Sequence, residues 1–330
     1  MKLLILGGTV FLGRHIVESA RQRGHEITLF TRGERNPDLF PDVEKLRGNR
    51  DGNLTPLEGR RWDAVIDTSG YVPRVVRASA ELLKGAVAHY TIISSISVYA
   101  AFETPGMDEA APVGTLADEG VEEITGETYG PLKALCECAV EEVMPGRALI
   151  IRPGLIVGPY DPTDRFTYWP RRVARGGEVL APDRPDRATQ FIDARDLADW
   201  TVRMVEAGAT GVYNATGPAE RLAMGHLLDV CNAAGGGSAT FTWVPEPFLL
   251  DAGIGPWMEL PLWVPESEGA GFSSVSIAKA GAAGLTFRSL DVTVRDTLAW
   301  DAGRPATTEY RAGLDAEKER ETLRRWHAAS

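Results

Sequence analysis

The sequence predicts a doubly wound α/β fold, a parallel sheet covered by helices on both faces, with a smaller C-terminal domain for substrate. Three observations predict it. Short apolar runs alternate with helical stripes over the first half, and a glycine turn joins the first strand to the first helix. Further on, Pro and Gly become frequent and tryptophans cluster at Trp243, Trp257 and Trp263. At 330 residues, 44% hydrophobic and 25% charged, the chain has material for one large domain or two coupled ones.

The first strand is the apolar run 2–6, which ends in Gly7-Gly8. Leu12, Ile16, Val17 and Ala20 then fall on one helical stripe. After a stop at Gly24, residues 26–30 form a second strand, with a weaker third at 43–46. Residues 64–67 are the fourth, followed by a helix that includes 79–83; residues 90–93 are the fifth, and a helix over about 131–143 separates it from a sixth at 148–151. Segments 190–202 and 212–214 read as a helix and strand that return to the sheet. The dinucleotide-binding part is therefore expected over 1–158 and 188–216. Residues 159–187 and 217–330 form the substrate domain, ending in a charged amphipathic helix at 315–326.

Composition excludes several classes. Lys and Arg total 35 against 46 Asp and Glu, and a net charge of −11 repels polyanions, so neither RNA nor DNA is expected as a partner. The first apolar run is too short for a signal-peptide core or a membrane span, which predicts a cytoplasmic protein. Cys136, Cys138 and Cys231 lack metal-site spacing and read as reduced packing residues, so no metal is expected.

A dinucleotide site needs a tight turn after the first strand, close backbone approach to the pyrophosphate, and a helix N-terminus facing the phosphates. Gly7, Gly8 and Gly13 supply most of this, with Thr9, Phe11 and Leu12 between them. The middle glycine of the fingerprint is replaced by Val10, which demands ordinary negative φ and a side chain turned away from the phosphates. The second strand ends in Phe30-Thr31-Arg32 with no carboxylate. An acidic residue there would bind a ribose 2′-hydroxyl, whereas Arg32 suits a 2′-phosphate, with Arg14 as a possible helper. NADP is therefore expected in preference to NAD.

Tyr129 and Lys133 stand four apart, on one helical face. A nearby ammonium, with an oxidised nicotinamide, favours the phenolate and brings a tyrosine toward useful acidity. The strand before them delivers hydroxyls at the C-terminal edge of the sheet. Ser95 is placed to bond a substrate oxygen, with Ser94 and Ser97 as rivals.

Together, Gly7-Gly8-Thr9…Gly13, residues 94–99, Tyr129…Lys133, Arg152-Pro153-Gly154 through Pro159 and Phe191-Ile192-Asp193 through Ala198 resemble the extended short-chain dehydrogenase/reductase family, also known as the NAD-dependent epimerase/dehydratase family. The resemblance covers about residues 1–300 and implies a Rossmann fold. It also implies that Ser95 polarises the substrate oxygen, Tyr129 exchanges its proton, and Lys133 orients the nicotinamide ribose and acidifies the tyrosine. Asn49 falls where the family usually carries an aspartate on the adenine, with Arg50 beside it. Thr68-Ser69-Gly70 would lie along the cofactor, and Pro153 and Ile156 near the nicotinamide. A homodimer is a further expectation from the resemblance.

Two departures narrow the substrate. Sugar-nucleotide members usually carry an arginine before the Phe-Ile segment for the substrate pyrophosphate, and this chain has Gln190. Members that dehydrate sugars place Asp-Glu after the catalytic hydroxyl; here Ile96-Ser97 follow Ser95. Aromatic candidates for the substrate wall are Tyr71, Phe166, Tyr168, Trp169, Trp257 and Trp263, with Arg165 and Arg171 as candidate partners of an anion. The expected function is an NADP-dependent reductase or dehydrogenase moving hydride between nicotinamide and a carbonyl, imine or alcohol of a small metabolite. A sugar-nucleotide epimerase using the same three residues is the alternative. From another class comes a relative without catalysis that senses cofactor or binds RNA.

Overall fold

A computed structural model describes residues 1–329 of the chain. Its first half alternates β1 (Lys2–Leu6), α1 (Phe11–Gln22), β2 (Glu26–Thr31), β3 (Glu44–Arg47), β4 (Ala64–Asp67), α2 (Pro73–Leu83), β5 (His89–Ile93), α3 (Tyr129–Val143) and β6 (Ala148–Pro153). Then follow β7 (Leu155–Val157), α4 (Tyr168–Ala174), β8 (Gly177–Pro182), β9 (Ala188–Thr189), β10 (Phe191–Asp193), α5 (Ala194–Glu206) and β11 (Gly211–Ala215). The remainder holds β12 (Leu222–Ala223), α6 (Met224–Ala234), β13 (Ala239–Val244) and the helices α7 (Glu246–Asp251), α8 (Glu266–Gly269), α9 (Ala278–Ala282), α10 (Leu290–Ala302) and α11 (Ala316–Ala329).

Seven strands form one parallel sheet in the order β11-β6-β5-β4-β1-β2-β3. Leu3 to Leu6 are fully buried, as a strand with helices on both faces requires. Leu3 and Ile5 face the layer that holds α1 and α5, while Leu4 and Leu6 face the layer that holds α2 and α3. Each fully buried leucine or isoleucine stabilises the fold by about 1.5–3 kcal/mol. The chain leaves β1 for β2 on one side and later returns to β4 on the other. That reversal opens a crevice at the carboxyl ends of the strands.

Segment 190–202 differs from a plain helix. Phe191-Ile192-Asp193 pairs in parallel with Leu155-Ile156-Val157, and the Asp193 side chain caps α5 by accepting the Arg195 N–H at 2.9 Å. An apolar pair meeting a second apolar strand outweighs the helical stripe that follows it. The parallel β8–β13 pair joins residues about sixty apart and has no local signature. A separate core beneath it gathers Phe166, Trp169, Leu227, Leu260 and Trp263. Cys136 and Cys231 are buried, but Cys138 is exposed and does not pack. Among the described residues, no helix is long and apolar enough to cross a membrane.

Candidate active site

The crevice is a groove of about 930 Å³ running over the sheet edge. Gly7, Thr9, Val10, Phe11, Leu12 and Gly13 line one bank of it. Gly7 and Gly8 take φ of +107° and +97°, and a Cβ on Gly7 would collide with Thr68 Oγ1. A Cβ on Gly13 would lie 2.8 Å from the Gly8 nitrogen, so only glycine lets α1 pack onto the turn. Val10 is extended, with φ −132° and ψ 134°, which a β-branched residue adopts freely. Phe11 takes the positive φ instead, at 39°. No side chain caps the N-terminus of α1, so its first-turn N–H groups remain available to an anion. Asn36 Nδ2 fastens the loop by donating to the Thr9 carbonyl at 2.8 Å, a contact across 27 residues that the sequence does not reveal.

Beyond β2, Arg32 lines the groove, exposed and paired with Glu34 at 3.1 Å. Arg35 lines it too, with no ion pair among the described residues, and the Arg47 guanidinium packs against Gly33. Arg14 is not part of this cluster: its Nε bonds Glu18 at 2.8 Å and it stacks on Tyr160 at 3.6 Å. Asn49 lines the groove, with its Oδ1 accepting the Asp51 N–H. Arg50 borders the groove, but its guanidinium is bound bidentately to buried Asp67 at 2.7 Å for each nitrogen. Its charge is spent on the protein rather than on a ligand. Thr68 and Ser69 line the floor, and Thr68 Oγ1 donates to the Leu6 carbonyl at 2.9 Å. Gly70 lies buried behind the groove, where its carbonyl holds Lys133 instead of a cofactor.

Pro153, Ile156, Ser95, Tyr129 and Lys133 line the far stretch. Gly130 explains how α3 gets there, since any Cβ at that position would collide with the Ser97 carbonyl. Ser95 begins the turn after β5, and its Oγ accepts the Ser97 N–H at 3.0 Å and donates to Ser97 Oγ at 3.1 Å. Ser94 is buried and committed to Glu137, which removes it as a rival for the substrate oxygen. Lys133 is 3% exposed, and its Nζ donates to the Gly70 and Ile93 carbonyls at 2.6 Å each.

The acidity of Tyr129 departs from the expectation. Burial, aided by Tyr71, raises the phenol above its ordinary range, while Ser95 and the Arg165 charge oppose that rise without reversing it. Burial likewise lowers the Lys133 ammonium. Two backbone carbonyls absorb the lysine charge, so the protein's own groups keep the phenol protonated near neutrality.

Of the aromatic candidates, Tyr71 and Trp257 reach the groove and are joined there by Phe272. Phe166 and Trp169 do not: both are fully buried in the C-terminal core, with Trp169 Nε1 donating to the Pro261 carbonyl at 2.7 Å. Tyr168 and Trp263 belong to the same core. Their large apolar surfaces are removed from water by α4 and its neighbours, which outweighs any service as a pocket wall. Arg171 stacks on Tyr310 at 3.3 Å, outside the groove, whereas Arg165 lines it beside Asp161 and Thr163. Gln190 does not face a ligand. Its amide donates to the Val275 carbonyl at 2.9 Å and accepts the Val275 N–H at 3.1 Å.

Residues 3–216 match the model of the NAD dependent epimerase/dehydratase family. The chain is 25% identical over 277 residues to the chloroplast stem-loop binding protein of 41 kDa b of Arabidopsis thaliana, covering 76% of this chain and 65% of that protein, under two thirds of its length. Among solved structures, UDP-glucuronic acid 4-epimerase from Bacillus cereus, in complex with NAD, superimposes with a TM-score of 0.69 at 15% identity, covering 93% of this chain and 100% of that one. Human epimerase family protein SDR39U1 with NADPH gives 0.62 at 18% identity, covering 91% and 99%. At such identities the likeness is one of fold.

Proposed function

The chain belongs to the NAD dependent epimerase/dehydratase family, and from that premise we propose that it is an NADP-dependent reductase or dehydrogenase acting on a carbonyl, imine or alcohol of a small metabolite. The observation that carries the choice over a sugar-nucleotide epimerase is the Gln190 amide. Both of its polar ends are occupied by the Val275 backbone, so nothing at this position is left to pair with a pyrophosphate.

The loop from Gly7 to Gly13 fits a dinucleotide pyrophosphate, because its glycines allow a tight positive-φ turn packed closely on α1 and the first turn of α1 is uncapped. Arg32, Arg35 and Arg47 gather where an adenosine 2′-phosphate would lie, which supports NADP; Glu34 partly offsets Arg32. When bound, the nicotinamide supplies or accepts hydride. Tyr129 donates the proton to the substrate oxygen, and the Ser95 hydroxyl steadies that oxygen. A phenol kept protonated by burial is in the form that donates. Lys133 is fixed by two carbonyls as a rigid donor beneath the Tyr71 ring, 5.2 Å from its centroid. One relative has a stem-loop-binding name, yet the −11 charge works against polyanion binding, and we propose no RNA partner here.

Calorimetric titration with NADPH, NADH and UDP-glucose tests this reading. NADPH should bind most tightly and UDP-glucose should give no heat of binding. Tight uptake of UDP-glucose would restore the epimerase.

A further inference from the structure

We infer that Arg165 anchors an anionic group, a carboxylate or a phosphate, on the small-molecule substrate, and holds it beside the Tyr129 hydroxyl. The inference rests on the reductase reading for what happens next at Tyr129, but the anion site stands on its own geometry.

Arg165 lies in the loop after β7 and lines the stretch of groove that also holds Tyr129, opposite in the chain to the arginines that follow β2. Its Nε donates to Thr163 Oγ1 at 3.2 Å. Thr163 in turn donates to Asp161 from its hydroxyl at 2.8 Å and from its N–H at 2.8 Å. The Asp161 carboxylate is hydrogen-bonded by Thr163 and reaches Arg165 only through that threonine and through space, and no carboxylate of the described residues comes within ion-pair distance of Arg165. The Trp257 ring supports the guanidinium at 4.9 Å. One nitrogen and one face are therefore committed, and the two terminal nitrogens have no hydrogen-bond partner among the described residues.

Arg171 also lacks an ion pair among the described residues, but it stacks on Tyr310 outside the groove, and three other arginines of this half are neutralised. Arg172 is tied to Glu319, Arg187 to Asp183, and Arg304 to Asp164. Asp161 acts on the Arg165 charge only from beyond direct pairing distance; a half-buried guanidinium without a directly bonded carboxylate is costly unless a ligand completes it, and its planar fork matches a carboxylate or phosphate with two parallel bonds. Burial already lowers the Arg165 guanidinium from its ordinary range, and its charge acts on the Tyr129 phenol, so the two face the same space. Trp257, with φ +65°, holds a backbone conformation that non-glycine residues rarely adopt, and with Phe272 it walls the cavity beside Arg165. The occupant has an anionic end on Arg165, an apolar body against these rings, and its reacting oxygen at Tyr129.

The test titrates the NADPH-loaded protein by calorimetry with benzoate, phenyl phosphate and neutral benzamide. At least one anion should bind about tenfold or more tightly than benzamide, and the tighter of the two identifies the source of the charge. Arg165→Gln should erase that preference while leaving NADPH affinity within about twofold. Thr163→Val, which removes the hydroxyl that links Arg165 Nε to Asp161, should weaken anion binding about threefold or more in both the Asp161 and the Asp161→Asn background, and decides the matter if Arg165→Gln fails to fold. Benzamide binding as well as the anions, no anion binding at millimolar concentration, or a preference that survives in the variants would overturn the inference. If NADPH itself does not bind, the cofactor reading falls, and the same anion titration of the chain alone still decides Arg165.

Discussion

At the edge of the sheet between β3 and β4, Arg50 is clamped by Asp67 through two 2.7 Å bonds, and Asp67 also accepts the Tyr90 hydroxyl at 2.9 Å. At the other end of the same groove, Arg165 has one bond to a threonine and, among the described residues, no carboxylate bonded to it directly, Asp161 standing behind that threonine. Both arginines are largely withdrawn from water. The difference is that one charge is bound directly by a carboxylate of the fold and the other is not. A sequence places both in polar loops and gives no means of telling them apart, because the deciding partner is an acid brought up, or kept away, by tertiary packing.

That contrast can be broken at either end. Tyr129→Phe strikes the reactive end and should lower turnover by about 10³-fold, within the usual worth of a positioned acid, with NADPH affinity nearly unchanged. Near wild-type turnover in a stopped-flow assay would remove the phenol from the mechanism. Asp67→Asn strikes the neutralised end, leaving Arg50 buried without its counter-charge. Urea unfolding should show a loss of about 3–5 kcal/mol, and a loss below 1 would mean that the pair is ornamental.

A third prediction concerns pH. Burial pushes the Asp161 carboxyl up to about 6, above its value of about 4 in an unfolded chain. The native state therefore holds this proton more tightly than the unfolded state. Its contribution to stability is greatest below about pH 4 and declines as pH rises to about 6, on the order of 1–3 kcal/mol in all. Asp161→Asn should flatten that decline in denaturation curves taken across the window; an unchanged slope would assign the decline to other groups.

Smaller effects sharpen the contrast. Arg32→Ala should weaken NADPH about tenfold and NADH hardly at all, as expected for one charge-assisted contact to a 2′-phosphate. Equal losses would undo the preference for NADP. Arg165→Met should change the unfolding free energy by less than about 1 kcal/mol, since no ion pair is broken. A cost like that of Asp67→Asn would show that Arg165 is structural after all.

What could be read in advance was local. The turn after β1 and the Tyr129–Lys133 spacing depend on residues within one helical turn of each other, and the alternation of runs and stripes implied the parallel sheet. What could not be read depends on distant contacts. Phe166 and Trp169 are indistinguishable from Trp257 by composition, yet the first two are consumed by the core beneath β8 and β13 while the third turns toward the groove. Gly70 stood in line with Thr68 and Ser69, but Lys133, 63 residues away, claims its carbonyl. Arg50, beside Asn49 in the sequence, is held by Asp67, 17 residues away.

The Gln190 clamp has a consequence for the evolution of this cavity. Gln190 grips Val275, while Gly271 and Ser276 donate to the Phe102 and Met107 carbonyls at 2.7 Å, so the short segment bearing Phe272 is pinned at three points. The Gln190 side chain thus tethers the segment that carries one wall of the cavity. Installing an arginine at 190 would therefore not simply graft a pyrophosphate site onto this scaffold; it would release the wall and reshape the cavity at the same stroke.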